Sequence, residues 1–292
     1  MKKEINEKHL STRSNKLTSA RYKLSLVEQN LIYILTSRVQ PQDDDFFEHS
    51  FSIKDIATFC GLDEKSAFAQ IKNATLSLIN KGMVIPEPDG DLHVAWLCSA
   101  KYHDKEGKVE LCFAPRLKPY LLGLKKAFTS LEIGIVAKFK SVYSGRIYEF
   151  VKSLQGQGHN KLEQKTTIDE FKKMLGVEKD YKLFGDFKRR VLDVAISEIN
   201  ANTPDDISYE LIKTGRKVTH IKFSITAKPA PETEPHLDVN GIPVDGYDQT
   251  LLFTNGSTSD DELISLLKQK FGYTNDVNEL MLELYGKEKI MA

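Results

Sequence analysis

The side chains best suited to chemistry in this sequence are cations gathered in two short runs. Lys182, Lys188, Arg189 and Arg190 lie in a stretch of helical periodicity from Tyr181 to Asn200, and Arg216-Lys217 follow Gly215 between two strand-like segments. Arginine offers a fork of donors that matches guanine O6 and N7, and both cations neutralise phosphate. At 100° per residue, Phe184, Phe187, Val191, Val194, Ala195 and Ile199 gather as an apolar stripe. Lys182, Asp186, Arg189 and Asp193 lie opposite it, Arg190 flanks them, and Lys188 falls nearer the apolar side. Such a helix would enter a DNA major groove, with the basic hairpin tip on a phosphate or in the minor groove. The plainer reading is a solvated face laced by Lys182–Asp186, Asp186–Arg190 and Arg189–Asp193 pairs, each contributing ~0.2–0.5 kcal/mol. Basic charge on both elements favours the DNA reading.

Signals for catalysis are missing. The sequence contains no G-x-x-x-x-G-K-[ST], H-x-H, C-x-x-C or G-x-S-x-G, and its seven histidines are dispersed. The carboxylates form no recognisable metal-binding set. No catalytic residue, metal or cofactor is therefore expected, and the chain is read as a non-enzyme. Cys60, Cys98 and Cys112 are scattered, which suggests a reducing compartment with each thiol a small core residue. Cys98 and Cys112 fall on neighbouring strands, and two buried thiols are preferred there over a bridge. Apolar runs such as Leu31–Leu35 are too short to cross a bilayer. The first sixteen residues have no apolar h-region, so the expected location is the cytoplasm.

Charge is distributed unevenly. The 292 residues carry 41 basic and 41 acidic side chains, yet the first 228 have a net charge of +8 and the remaining 64 a net charge of −8. Neutrality thus hides a polyanion-binding body with an acidic appendage. Lys228-Pro229-Ala230-Pro231 marks the break.

The elements that position these cations come in two copies. Ser52–Gly61 (SIKDIATFCG) aligns with Thr167–Gly176 (TIDEFKKMLG) at an offset of 115, and Ala67–Ile79 aligns with Leu183–Ala195 at 116. Ile56 then meets Phe171, Ile71 meets Phe187, and Leu76 meets Leu192. Each copy reads as a helix (about 21–39, then 131–154), a capped short helix, a glycine stop, a long helix and a β-hairpin. Gly82 suits the C-cap of the first long helix, and residues 115–126 read as a helix or connector. Leu92–Tyr102 and Lys108–Phe113 form the first hairpin, and Ile207–Lys213 and Val218–Thr226 the second. The expected architecture is α+β, two tandem winged-helix domains related by an internal pseudo-twofold repeat, plus a small helical C-terminal tail. The boundaries are a flexible arm at 1–16, a first winged helix at 17–126 and a second at 127–228. A linker follows at 229–257, then an acidic helical tail at 258–292 that opens on a Ser259–Glu262 capping box. The first copy carries Lys72-Asn73-Ala74 where the second has Lys188-Arg189-Arg190, and its hairpin tip is of mixed charge. The second copy is therefore the main reader, and the first a weaker DNA contact combined with a protein–protein surface.

RYKLSLVEQNLIYIL, SIKDIATFCGL and SVYSGRIYEFVKSL, in that order, resemble the iteron-binding replication initiators of theta-replicating bacterial plasmids. The resemblance covers about residues 15–227 and leaves the tail unexplained. It implies a protein that binds short direct repeats of double-stranded origin DNA as a monomer and helps open an A·T-rich segment. It also implies recruitment of the host initiator and replicative helicase, and repression of its own gene by a homodimer formed through the first winged helix. Lys182, Lys188, Arg189 and Arg190 would read the repeat, Arg216 and Lys217 would hold the backbone, and Lys72 and Asn73 would add a second contact. Asp186 and Asp193 depart from a purely basic reading face. The same two domains would also serve a transcriptional regulator. A DNA-nicking enzyme and a pure protein-interaction module are the more distant alternatives.

Overall fold

The computed structural model describes residues 5–40, 43–155 and 165–229. The expected linker at 229–257 and acidic tail at 258–292 therefore lie outside the described residues, apart from Pro229.

Residues 10–14, expected to belong to a flexible arm, instead form strand β1 (Leu10–Ser14), followed by the short helix α1 (Asn15–Thr18). Strand β1 pairs antiparallel with β7 (Phe128–Glu132), with Thr12 opposite Ser130 and their hydroxyls 2.8 Å apart. The arm was misread because its alternation is polar: the buried face holds Ser11 and Arg13. Helix α2 (Leu26–Thr36) begins later than its periodicity suggests. Ser25 and Glu28 form a reciprocal capping box there, and Arg21 bridges to Val84 in an extended conformation.

Beyond α2, β2 (His49–Ser52) leads into α3 (Ile53–Cys60), capped by Ser52 and ended by Gly61 at φ +63°. Helix α4 (Glu64–Asn80) follows. Its C-cap is Lys81 in an extended conformation, not Gly82, which already begins β3 (Gly82–Glu87). The run expected as one strand from Leu92 divides at the buried Trp96. Its first half is β4 (Gly90–Ala95), paired with β3, and its second half is β5 (Leu97–His103), paired with β6 (Lys108–Phe113). Between β6 and β7, only the four-residue α5 (Lys118–Leu121) is α-helical.

The second copy also differs from a simple helix at 131–154. That segment holds the end of β7, the short α6 (Ile133–Val136) and α7 (Val142–Gln155). Strand β8 (Thr166–Thr167) and α8 (Ile168–Met174) come next, with Thr167 capping α8 and Gly176 at φ +66° after it. The long helix spans 184–202, and the wing is β9 (Asp205–Thr214) with β10 (Lys217–Ala227).

Sheet order establishes that the copies are equivalent. The first copy runs β2-β6-β5 and the second β8-β10-β9, so in each the strand before the short helix pairs with the last strand of the wing. This is the tandem winged-helix, α+β architecture, with β3–β4 as an insertion in the first copy. Each copy has its own apolar core, one around Leu31, Ile56, Ile71 and Trp96, the other around Ile147, Phe171, Phe187 and Phe223.

Candidate nucleic-acid interface

The basic long helix of the second copy is not a uniform α-helix. It comprises α9 (Phe184–Phe187), a π turn (Lys188–Leu192) and α10 (Asp193–Asn202). The π turn contains Lys188, Arg189 and Arg190. A π turn takes in one extra residue and is found most often at functional sites. Its effect can be measured against the first copy. After Ile71, α4 buries Ala74, Thr75 and Leu78; after Phe187, the second copy buries Val191, Leu192 and Ala195. The equivalence has moved to an offset of 117, one more than along the helix start. Two expectations are corrected by this shift. Leu192 is buried whereas Leu76 is exposed, so they are not equivalent, and Val194, expected in the core stripe, is exposed. The cations thus fill a three-residue stretch, one residue longer than the Lys72–Asn73 stretch of the first copy.

The ion pairs follow π geometry. Lys188 Nζ lies 2.8 Å from Asp193 Oδ2, an i,i+5 pair, and Tyr209 on β9 donates its hydroxyl to Asp193 Oδ1 at 2.5 Å. Burial pushes the Asp193 carboxyl up, but the Lys188 and Tyr209 hydrogen bonds outweigh it and hold it below the usual range. The Asp193 hydrogen bond holds Lys188 above its ordinary value. Lys188 is thereby tied to the base of the wing. Arg189 reaches back to Asp186 at 3.1 Å, and Arg190 makes no ion pair among the described residues. None of the expected i,i+4 pairs forms. Lys182 precedes the helix, which starts at Phe184, and is exposed in the approaching turn.

At the far end of the wing, Gly215 takes φ +61° and Arg216 and Lys217 are exposed at the tip. The first copy's tip differs in charge as well as sequence. There Lys108 pairs with Glu106 at 2.5 Å and His103 lies 3.0 Å from Glu110, so carboxylates already occupy the groups at this tip. Lys72 is also engaged, its ammonium 5.8 Å from the Phe68 ring centroid and 5.9 Å from that of Tyr102. Asn73 beside it is exposed. Two further cations escaped the sequence reading. Lys138 and Lys140 line one hollow with Val194 and Ser197 of α10. Glu198 brings them there, accepting the backbone N–H groups of Lys140 at 2.6 Å and Ser141 at 3.0 Å. No sequence periodicity links residue 140 to residue 198.

Comparison with known proteins identifies the family of the two winged helices. Residues 10–152 match the family model described as initiator replication protein, WH1, and residues 167–225 match initiator Rep protein, WH2. The chain belongs to the Rep family of replication initiators. A replication initiation protein of Escherichia coli is 27% identical over 241 residues, covering 80% of this chain and 75% of its own length. The PI protein of Escherichia coli is 25% identical over 259 residues, covering 75% and 83% respectively. In fold, this Rep chain resembles a crystal structure of Pi initiator protein in complex with iteron DNA. The TM-score is 0.61 and the identity 20%, over 77% of this chain and all of the other.

The segment SVYSGRIYEF, one of the three that carry the resemblance, begins α7, which packs against both β1 and α2 and the end of α8. Ser144 donates to Glu198 Oε2 at 2.5 Å. Gly145 lets α7 pass close to α2, because a Cβ there would sit 3.2 Å from the Tyr33 hydroxyl. Arg146 donates to the carbonyls of Thr18, Ala20 and Met174 and to the Tyr22 hydroxyl, tying the chain before α2 to the end of α8. Glu149 faces Arg13 of β1 at 3.3 Å, both buried. Burial lowers the Arg13 guanidinium, but Glu149, Tyr33 and Tyr22 together outweigh this and hold it above its ordinary value. Tyr148 donates to Asp205 at 2.7 Å. This segment therefore ties α7 to β1, to the chain before α2 and to the end of α8, and it lies apart in sequence from the cations of the π turn and the wing tip.

Proposed function

We propose that this chain initiates plasmid replication by binding direct repeats of double-stranded origin DNA as a monomer. The second winged helix is the main reader and the first a secondary contact. The observation that carries this reading is the π turn, which adds a basic residue to the groove-facing helix and leaves Arg189 and Arg190 projecting. Arg216 and Lys217, exposed at the wing tip and in no ion pair among the described residues, support it, as does the Pi initiator, whose structure contains iteron DNA. Arg189 and Arg190 read bases, Lys182, Arg216 and Lys217 hold phosphates, and Lys188 orients the turn. Lys72 and Asn73 add the weaker contact.

The remaining steps are DNA opening and recruitment of the host initiator and replicative helicase. None of these requires a catalytic group of this chain, and its place of action is the cytoplasm. A homodimer through the first winged helix would repress the chain's own gene. Phe68 and Leu76, apolar and exposed on α4, support a protein-binding role for that domain. Among the described residues no helix is long and apolar enough to cross a membrane, and no His, Cys, Asp or Glu group could hold a metal.

A footprint on the DNA beside the gene tests the reading. Protection of several copies of a ~20-bp repeat, about two turns of the major groove, is the expected result. A single inverted repeat with no direct repeats would favour a transcriptional regulator. Incubation with supercoiled plasmid and Mg²⁺ or Mn²⁺ should leave the plasmid intact, and nicking would replace the non-catalytic reading with an enzymatic one.

A further inference from the structure

Cys98 and Cys112 face each other across the β5–β6 hairpin of the first winged helix, and the DNA-binding proposal uses neither. The pairing register passes from Leu97↔Phe113 to Ser99↔Cys112, so Cys98 is the extra residue of a β-bulge opposite Cys112. In a bulge two residues oppose one, and here the pair opposite Cys112 begins with a second thiol. Cys98 is exposed and Cys112 half-buried. The Cys98 sulfur lies 3.7 Å from the Cys112 carbonyl oxygen. Directly opposed residues such as Ser99 and Cys112 have Cα atoms ~4.5–5.5 Å apart, Cys98 is the next residue along the bulge, and a disulfide accepts ~4.4–6.8 Å. The third cysteine has no such neighbour. Cys60 lies in the helical part of the domain, and burial pushes its thiol up to about 12.

We propose that Cys98 and Cys112 form a reversible thiol-oxidation site, closing an intramolecular disulfide when a low-molecular-weight disulfide oxidant is present. The exposed Cys98 thiolate attacks the oxidant, forming a mixed disulfide and releasing one small thiol. Cys112 then loses its proton to solvent and its sulfur attacks the Cys98 sulfur, expelling the second small thiol. Two protein thiols are oxidised by two electrons, and one small disulfide is reduced to two thiols. Burial and the neighbouring Cys98 push the Cys112 thiol up to about 11, so Cys98 reacts first and Cys112 resolves. The bond would fix the bulge beside the buried Trp96, where the chain passes from the β3–β4 hairpin into the wing sheet.

The test uses the full chain with oxidised glutathione, followed by N-ethylmaleimide under denaturing conditions and intact mass. The expected wild-type product has lost about 2 Da, carries a single maleimide at Cys60 and reverts with a reducing dithiol. Cys98→Ser should resist oxidation, and Cys112→Ser should stop at a glutathione adduct on Cys98. Three outcomes overturn the proposal: a wild-type protein that stays a glutathione adduct with Cys112 still open to maleimide, a chain-to-chain disulfide dimer, or three maleimides after treatment.

Discussion

Lys188 and Arg190 are two residues apart in the same turn, yet they are held very differently. Lys188 is bound to Asp193, which also receives the Tyr209 hydroxyl, while Arg190 makes no such pair among the described residues. Replacing Arg189 and Arg190 together by Ala should weaken specific DNA binding by ~2–5 kcal/mol, measured by fluorescence anisotropy. Lys188→Ala should cost less than ~1 kcal/mol, since its charge is already matched and its pair is partly exposed. Equal losses from the two variants would show that Lys188 carries as much of the contact as the arginines do. The residue types were legible in the sequence, and so was the doubt about Lys188, which falls nearer the apolar side of an ideal helix. The partners were not legible, because i,i+4 arithmetic assumes 3.6 residues per turn and the π turn breaks that period just where the charges lie. The Cys98 side chain was misplaced for a related reason: strand alternation gives no warning of a bulge.

The π turn also sets the behaviour of the whole helix. Deleting Lys188 would leave Arg189 directly after Phe187 and restore the spacing of α4, in which core residues follow Ile71 by three and four. The melting temperature should then stay within a few degrees of wild type, because the apolar register closes up. Specific binding should fall by more than it does in Lys188→Ala, because the arginines turn by about 100° relative to α9. A deletion variant that binds as well as the substitution would make the turn incidental. The two glycine stops offer a second comparison. Both have positive φ, but a Cβ at Gly61 meets nothing within 4 Å, while one at Gly176 would lie 2.9 Å from the Lys23 Cβ and 3.0 Å from the Tyr22 carbonyl oxygen. Gly61→Ala should cost ~1 kcal/mol by chemical denaturation, from the left-handed backbone alone. Gly176→Ala should cost distinctly more, because the neighbouring chain must move as well. The glycine stops, the Ser52 and Thr167 caps and the second hairpin were readable from spacing, whereas the Gly82 cap was not. The breaks at Trp96 and at residues 137–141 were not, since their causes are partners far along the chain: Trp96 donates its backbone N–H to Leu78 and Glu198 accepts from residues 140 and 141.

Across the whole molecule, the two winged helices are joined through buried charge. Removing one partner of a buried pair leaves the other without compensation, so Glu149→Ala should lower stability by ~3–5 kcal/mol and reduce the melting temperature accordingly. A shift of less than a degree would show that the joint is held by packing alone. Glu28 is a second buried carboxylate. Burial pushes it up, but hydrogen bonds from Lys81, Ser77 and the Ser25 backbone outweigh this and hold it below the usual range. A group lowered in this way adds stability above its unfolded value of about 4.3 and loses it as pH falls through the folded value. The melting temperature of Glu28→Gln should therefore fall less steeply than wild type between about pH 5 and pH 3. Steep weakening of DNA binding with salt is expected as well, each phosphate contact adding ~0.9 to the slope of log K against log salt. The repeat and the neutral sum of two oppositely charged parts were visible in the sequence. The strand pairing of residues 10–14 was not, because its partner lies more than a hundred positions away. That pairing also orders events during synthesis. Strand β1 leaves the ribosome well before its hydrogen-bonding partner β7, which emerges only at 128–132, and before the carboxylate that neutralises Arg13, at 149. A growing chain must carry an unpaired strand and an unmatched guanidinium through the translation of the entire first winged helix. That domain can close completely only once the first helix of the second has been made.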